Sequence, residues 1–165
     1  MTQLLHNLVE SLREELKQYG ELLAQLDHQQ QLVMQRQARD LLNSVTGINL
    51  QAEAVQAARH EREQHQRHVA QHFKLGEAAT FAEMLPQFPA HYRPLVEALV
   101  AENNELLLRV QQRARQNQLL LSHAVELMQR FINVLLPGTS PATYNDTGRM
   151  PASSLAPNSL YEAVG

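Results

Sequence analysis

One stretch of the sequence decides the fold: residues 93–136 read RPLVEALVAENNELLLRVQQRARQNQLLLSHAVELMQRFINVLL. Pro94 suits the first turn of a helix and Pro137-Gly138 suits its end, with no Pro or Gly between them. The apolar residues recur at intervals built from three and four, which predicts one stripe along a helix of roughly 66 Å. The stripe comprises Leu95, Leu99, Leu106, Val110, Leu120, Ala124, Leu127, Phe131 and Val134. Such a helix must pack against others to be stable in water.

Two further long helices are predicted ahead of this stretch. Residues 4–36 carry apolar residues at alternating spacings of four and three, which is typical of a heptad seam. Residues 40–73 continue that spacing, although Arg59, Arg62 and Gln66 occupy three consecutive seam positions. The sequence therefore predicts an all-α protein, an elongated bundle of three long helices with coiled-coil-like packing, in which the third helix runs parallel to the first.

The boundary between the first two helices is poorly marked. We favour a turn near Gln37–Arg39, with Thr46-Gly47 and a single unbroken helix as the alternatives. Antiparallel pairing about that turn places Glu14 opposite Arg62 and Glu10 opposite Gln66. We therefore expect these two glutamates to neutralise the seam arginines, because buried cations require anions.

Residues 74–92 break the helical pattern. Gly76, Pro86 and Pro89 exclude a long helix there. The apolar residues of this segment, two phenylalanines among them, favour a loop with one short helical turn that caps the end of the bundle. A functional loop is the alternative, since the connection is long for one between helices.

The last part of the chain has a different composition. We predict a helical bundle over residues 1–137 and a flexible, partner-binding tail over 138–165, where Pro, Ser and Asn replace any periodic core. Tyr144, Leu155 and Leu160 are among the few apolar residues in this tail. Segments of this kind often become ordered on a partner, although a frayed terminus without a role is the alternative.

Composition limits the possible functions. The chain has 165 residues, a net charge of −3, no Cys and no Trp. The charge gives no reason to expect nucleic-acid binding, and the missing Cys excludes disulfides and thiolate chemistry. No apolar run is long enough to span a membrane, and no secretory signal is evident, so a cytoplasmic protein is expected.

One group of residues suggests a metal site. Glu61, His65, His68 and His72 share a helix face, and the last two have a spacing that suits a divalent ion. The face lies beside the apolar seam, among Gln and Arg, so we interpret these residues as a solvated rim and expect no metal or cofactor. No catalytic constellation is legible either, and an enzyme is not expected.

Four pieces of sequence resemble a known family in their order along the chain. Gln29–Leu32 ends the first helix and Leu41–Thr46 lies in the second, while Asn117–Leu121 matches an Asn-x-x-Leu-Leu pattern in the last helix. Ala142–Gly148 then follows the Pro-terminated helix with a Tyr-x-x-x-Gly element. Together they resemble the FlgN-type flagellar export chaperones, which escort the hook–filament junction proteins.

The resemblance implies a cytoplasmic secretion chaperone without enzymatic activity. Its clients would be the C-terminal helical segments of hook-associated proteins, and its second partner would be the flagellar export gate with its ATPase complex. Tyr144 would dock on the gate. The client would contact the end of the last helix and the tail, through Leu120, Leu127, Phe131, Leu135, Leu155 and Leu160. The alternative is a self-associating coiled-coil adaptor or scaffold without a role in secretion.

Overall fold

The structure is a computed structural model in which residues 2–135 are described. Over that range the chain is entirely helical outside its turns, without strands, so the predicted all-α class is confirmed. The elements are α1 (Thr2–Met34), α2 (Ala38–His72), α3 (Phe81–Met84), a 3₁₀ helix (Leu85–Gln87) and α4 (Arg93–Leu135). The predicted count of three helices is wrong for this range, because the short α3 makes four, but the three long helices are present.

The turn between α1 and α2 occupies residues 35–37. The backbone N–H of Arg36 donates to the carbonyl of Val33 (3.2 Å) and that of Gln37 to Leu32 (3.1 Å). Arg36 adopts a left-handed conformation with φ 57°, so the turn is a Schellman motif closed by an arginine instead of a glycine. The turn predicted near Gln37–Arg39 is thus confirmed, although it lies two residues earlier in the chain. The two alternatives, a turn at Thr46-Gly47 and a single unbroken helix, are wrong.

The α1–α2 hairpin is antiparallel. The Gln51 side-chain amide donates to the Gln18 carbonyl (3.1 Å), while Arg62, further along α2, contacts Glu15, further back along α1. Residues of α2 therefore meet α1 in reverse order. This pairing buries apolar residues of both helices, which is the main source of hairpin stability.

Helices α1 and α4 run parallel. The Asn103 side-chain amide donates to the Leu12 carbonyl (3.0 Å), and that of Asn117 donates to the Leu26 carbonyl (2.7 Å). Donor and acceptor are 91 residues apart in both cases, so the two helices keep one register over two heptads. The predicted parallel orientation of the first and last long helices is confirmed.

The core consists of two clusters of buried side chains. The first lies toward the start of α1 and includes Leu5, Leu8, Leu12, Val69, Met84, Phe88 and Val96. The second lies further along α1 and comprises Tyr19, Leu22, Leu23, Leu26, Val55 and Val110. Phe88 and Met84 come from the connecting segment and are fully buried, so the predicted cap over the bundle end is confirmed. The Thr80 hydroxyl and the Glu83 carboxylate begin α3 with a capping box.

The chain divides into two units, Met1–His123 and Ala124–Gly165. Both core clusters belong to the first unit. Of the second unit, the structure describes the last residues of α4, up to Leu135. The predicted domain boundary at 137/138 stays a prediction, and the predicted flexible tail 138–165 lies outside the described residues.

Candidate functional site

The end of α4 carries large apolar side chains on its surface. Leu120 is 36% exposed, Leu127 65%, Phe131 63% and Leu135 60%. On a helix with about 3.6 residues per turn, their spacings of seven, four and four align them on one side. We call these four residues the α4 apolar face.

The length of α4 explains why this face is exposed. Its last buried residue among those described is Asn117, and the helix continues for 18 more residues (118–135). The hydrogen bond to Leu26 aligns Asn117 with a point on α1 from which only eight residues remain (27–34). After this level, α4 therefore continues for more residues than α1 does. Exposed apolar surface of this kind marks an interaction site more often than a structural accident.

A buried polar layer lies directly before this face. The Asn117 side-chain amide donates to the Gln29 side-chain oxygen (3.0 Å), and the Gln29 amide contacts the Ser44 hydroxyl at 3.5 Å. Asn117 is 2% exposed and Gln29 is 6% exposed. We call Asn117, Gln29 and Ser44 the Asn117 layer; it connects α4, α1 and α2. Beside it, the Arg113 guanidinium forms an ion pair with Asp27 (2.7 Å).

A second polar group lies in a cleft of about 290 Å³ lined by α1, α2, α4 and the start of α3. There the Arg62 guanidinium donates to the Glu15 carboxylate at 2.9 Å, and both side chains are largely buried. The Tyr19 hydroxyl donates to the other Glu15 oxygen at 3.3 Å. Burial raises the pKa of Tyr19, and the Glu15 charge raises it further, so this phenol remains a donor at neutral pH.

The predicted partner of Arg62 is wrong. Glu14 contacts Gln18 and Lys17 on its own helix, and Glu10 pairs with Arg13, also on α1. The true partner is Glu15, one residue after the predicted one. The reason is rotation, since consecutive residues on a helix point about 100° apart and position 15 faces the core.

The histidine face of α2 shows weak contacts. The His65 ring nitrogen lies 3.8 Å from the Glu61 carboxylate, and the rings of His65 and His68 are 6.5 Å apart, edge to face. Within residues 2–135, no three His, Cys, Asp or Glu side chains are grouped so that they could hold a metal ion.

The remaining predicted site residues lie outside the described part of the chain. They are Tyr144, proposed for the export gate, and Leu155 and Leu160, proposed for the client. The structure therefore brings together only the α4 half of the predicted client site. Sequence reasoning missed the Asn117 layer altogether. A signal was available, because Asn103 and Asn117 continue the seven-residue spacing of Val96 and Val110.

The surface features of the described residues indicate the general class of this protein. No cluster of side chains suited to a metal ion is found in residues 2–135, whereas the last long helix carries an exposed apolar face. This combination is typical of a helical protein that binds another protein. Over the same residues, no helix is both long and apolar enough to cross a membrane.

Comparison with known families gives a more specific result. The family model described as FlgN protein matches residues 1–152, which is nearly the whole chain. The chain therefore belongs to the FlgN family, and the resemblance read from the sequence is confirmed. This is a family of chaperones rather than enzymes, and membership indicates a flagellar export chaperone. No curated protein and no solved structure matches the chain.

Proposed function

We propose that this chain is a cytoplasmic chaperone that binds the C-terminal helical segment of hook-associated, hook–filament junction proteins. It keeps these clients soluble and delivers them to the flagellar export gate. Membership of the FlgN family supports the general role. The observation that carries the specific proposal is the exposed α4 apolar face.

The chemistry of this face suits an amphipathic helix. Helix-in-groove recognition uses apolar anchors at spacings of three, four and seven, and the residues of the α4 apolar face are seven, four and four apart. A client helix would bury the exposed parts of these four side chains. At about 1.5–3 kcal/mol for each fully buried side chain, the gross gain is on the order of 3–7 kcal/mol. Ordering costs reduce that gain, which suits a chaperone that must later release its client.

The first test removes the apolar character of the face. Leu127→Asp combined with Phe131→Asp should abolish binding of a client C-terminal segment in a pull-down, while circular dichroism shows an unchanged helical signal. The matched control is Leu42→Asp with Leu50→Asp, because these α2 side chains are equally exposed at 73% and 63%. If the control pair lost the client as completely, general surface apolarity rather than the α4 apolar face would explain binding.

The second test separates client binding from delivery. Tyr144→Ala should leave client binding nearly intact and impair secretion of the client, because a tyrosine ring with its hydroxyl suits a small contact on a second partner. Leu155→Asp with Leu160→Asp should weaken client binding instead. Each variant is examined by pull-down and by secretion assay. If Tyr144→Ala lost the client as well, the model of two separate sites would be wrong, and one continuous surface would bind both partners.

The exposed seven-residue spacing on α4 also suits self-association, the alternative function. Pairing of α4 with α4 of a second copy would bury the same residues. Light scattering on the purified chain distinguishes the two functions. A stable oligomer that excludes the client would favour the adaptor, whereas a complex of one chaperone with one client, or nearly so, favours the chaperone.

A further inference from the structure

The apolar pattern of α4 gives no reason for its packing to stop where it does. Val96 and Val110 share a heptad position that continues to Ala124 and Phe131. Leu99 and Leu106 share another that continues to Leu120, Leu127 and Val134. Burial nevertheless ends at Asn117 within the described residues. Something other than the apolar residues of α4 must set that limit.

The Asn117 layer lies at that limit. At the shared offset of 91 residues, Leu120 is level with Gln29, so α1 presents an amide to it instead of an apolar side chain. Gln29 is held in place by Asn117 on one side and by Ser44 on the other. A buried amide held by hydrogen bonds is costly to displace, because its partners would lose their bonds in an apolar site.

We propose that the Asn117 layer ends the packing of α4 on α1 and so keeps the residues that follow it in the first unit (118–123), Leu120 among them, available to a client. Its members act as positioning residues, because they hold the boundary and need no contact with the client. The effect on client binding rests on the proposed function. The role of the layer in ending the packing of α4 on α1 does not. A continuous apolar seam would instead draw residues 118–123, with Leu120, into the chaperone's own core.

The test replaces the layer by leucines in the full-length chain. In Gln29→Leu with Asn117→Leu, hydrogen exchange should slow for amides in residues 118–123. Affinity for the client should fall at least about tenfold. The probe is a synthetic peptide of a junction protein's C-terminal segment, on the order of 30 residues, which is about 45 Å when helical.

Asn103→Leu is the matched control. Asn103 is 6% exposed, lies two heptads before Asn117, donates to the Leu12 and Leu99 carbonyls and likewise leaves its side-chain oxygen unpartnered. It has no amide side chain as a partner and does not lie at the limit of burial. This variant should leave exchange after residue 117 unchanged and client affinity within about twofold of the natural chain.

Hydrogen exchange tests whether the layer sets the limit of packing, and client affinity tests whether that limit matters for binding. Unchanged exchange after residue 117 in the double variant would overturn the proposal, and so would client affinity that stays normal although exchange slows. An equal loss of affinity in Asn103→Leu would overturn it as well, since any buried asparagine would then have the same effect. If the natural chain failed to bind the peptide, the proposed function would fail, and exchange alone would still decide whether the layer sets the boundary.

Discussion

The ion pair between Arg62 and Glu15 should be the most sensitive polar contact in the bundle. We consider Arg62→Met, which preserves an unbranched side chain and removes only the charged head. The change leaves the Glu15 carboxylate, 4% exposed, without its cation. Tyr19 still donates to one carboxylate oxygen, but a single neutral hydrogen bond does not replace a guanidinium.

The expected cost follows from burial. The side chains of Arg62 and Glu15 are 15% and 5% exposed, so solvent screens the pair little. Removing one member of such a pair costs about 3–5 kcal/mol, which for a domain of this size lowers Tm by roughly 10–20 °C. Replacing both, as in Glu15→Leu with Arg62→Met, should recover most of the loss, because no unpaired charge remains.

Chemical denaturation of the single and double variants measures these free energies, and a double-mutant cycle gives the coupling. Arg13→Met is the control: its pair with Glu10 has a similar distance, 2.8 Å, but both side chains are about half exposed. That variant should cost at most about 1 kcal/mol. The reasoning is refuted if Arg62→Met costs no more than Arg13→Met, or if the double variant is as unstable as Arg62→Met.

Two further predictions concern the connecting segment. Phe88→Ala should destabilise the chain by about 3–5 kcal/mol in denaturation experiments, because the ring is 1% exposed and its loss leaves a cavity; a cost below about 1 kcal/mol would show that the cap is dispensable. Hydrogen bonds from the Thr80 backbone N–H and hydroxyl lower the pKa of Glu83 below its ordinary value of 4.5. The stabilisation is therefore present above that value and lost as the pH falls through the lowered pKa, and Thr80→Ala should move the Glu83 midpoint in an NMR titration back toward 4.5.

The sequence predicted the long helices and their orientation, because the spacing of apolar residues determines both. The start of α4 followed from Pro94, and the observed helix runs over Arg93–Leu135 in the described range. The parallel arrangement of α1 and α4 also followed from a hairpin and a returning connection.

Polar contacts inside the bundle were less predictable. A hydrophobic pattern locates a face to within a residue or so, and that uncertainty is enough to exchange Glu14 for Glu15. Glu15 interrupts an otherwise apolar face and is buried only because Arg62 reaches it from α2. Likewise Asn117 continues the heptad position of Val96 and Val110, but its hydrogen bond to Gln29 depends on a register between α1 and α4 that the sequence alone does not specify.

Because α4 is a single helix, its packed first part stabilises the helical conformation of its exposed last part. Starting a helix is unfavourable by a factor of about a thousand, whereas adding a residue to an existing one is close to neutral. Packing around Val96 and Val110 provides that start for the residues beyond Asn117. A free peptide of residues 118–135 would have to nucleate its own helix and would be largely coil. In the intact chain, an approaching partner meets a surface that is already helical, so the association rate is not limited by helix nucleation on the chaperone's side.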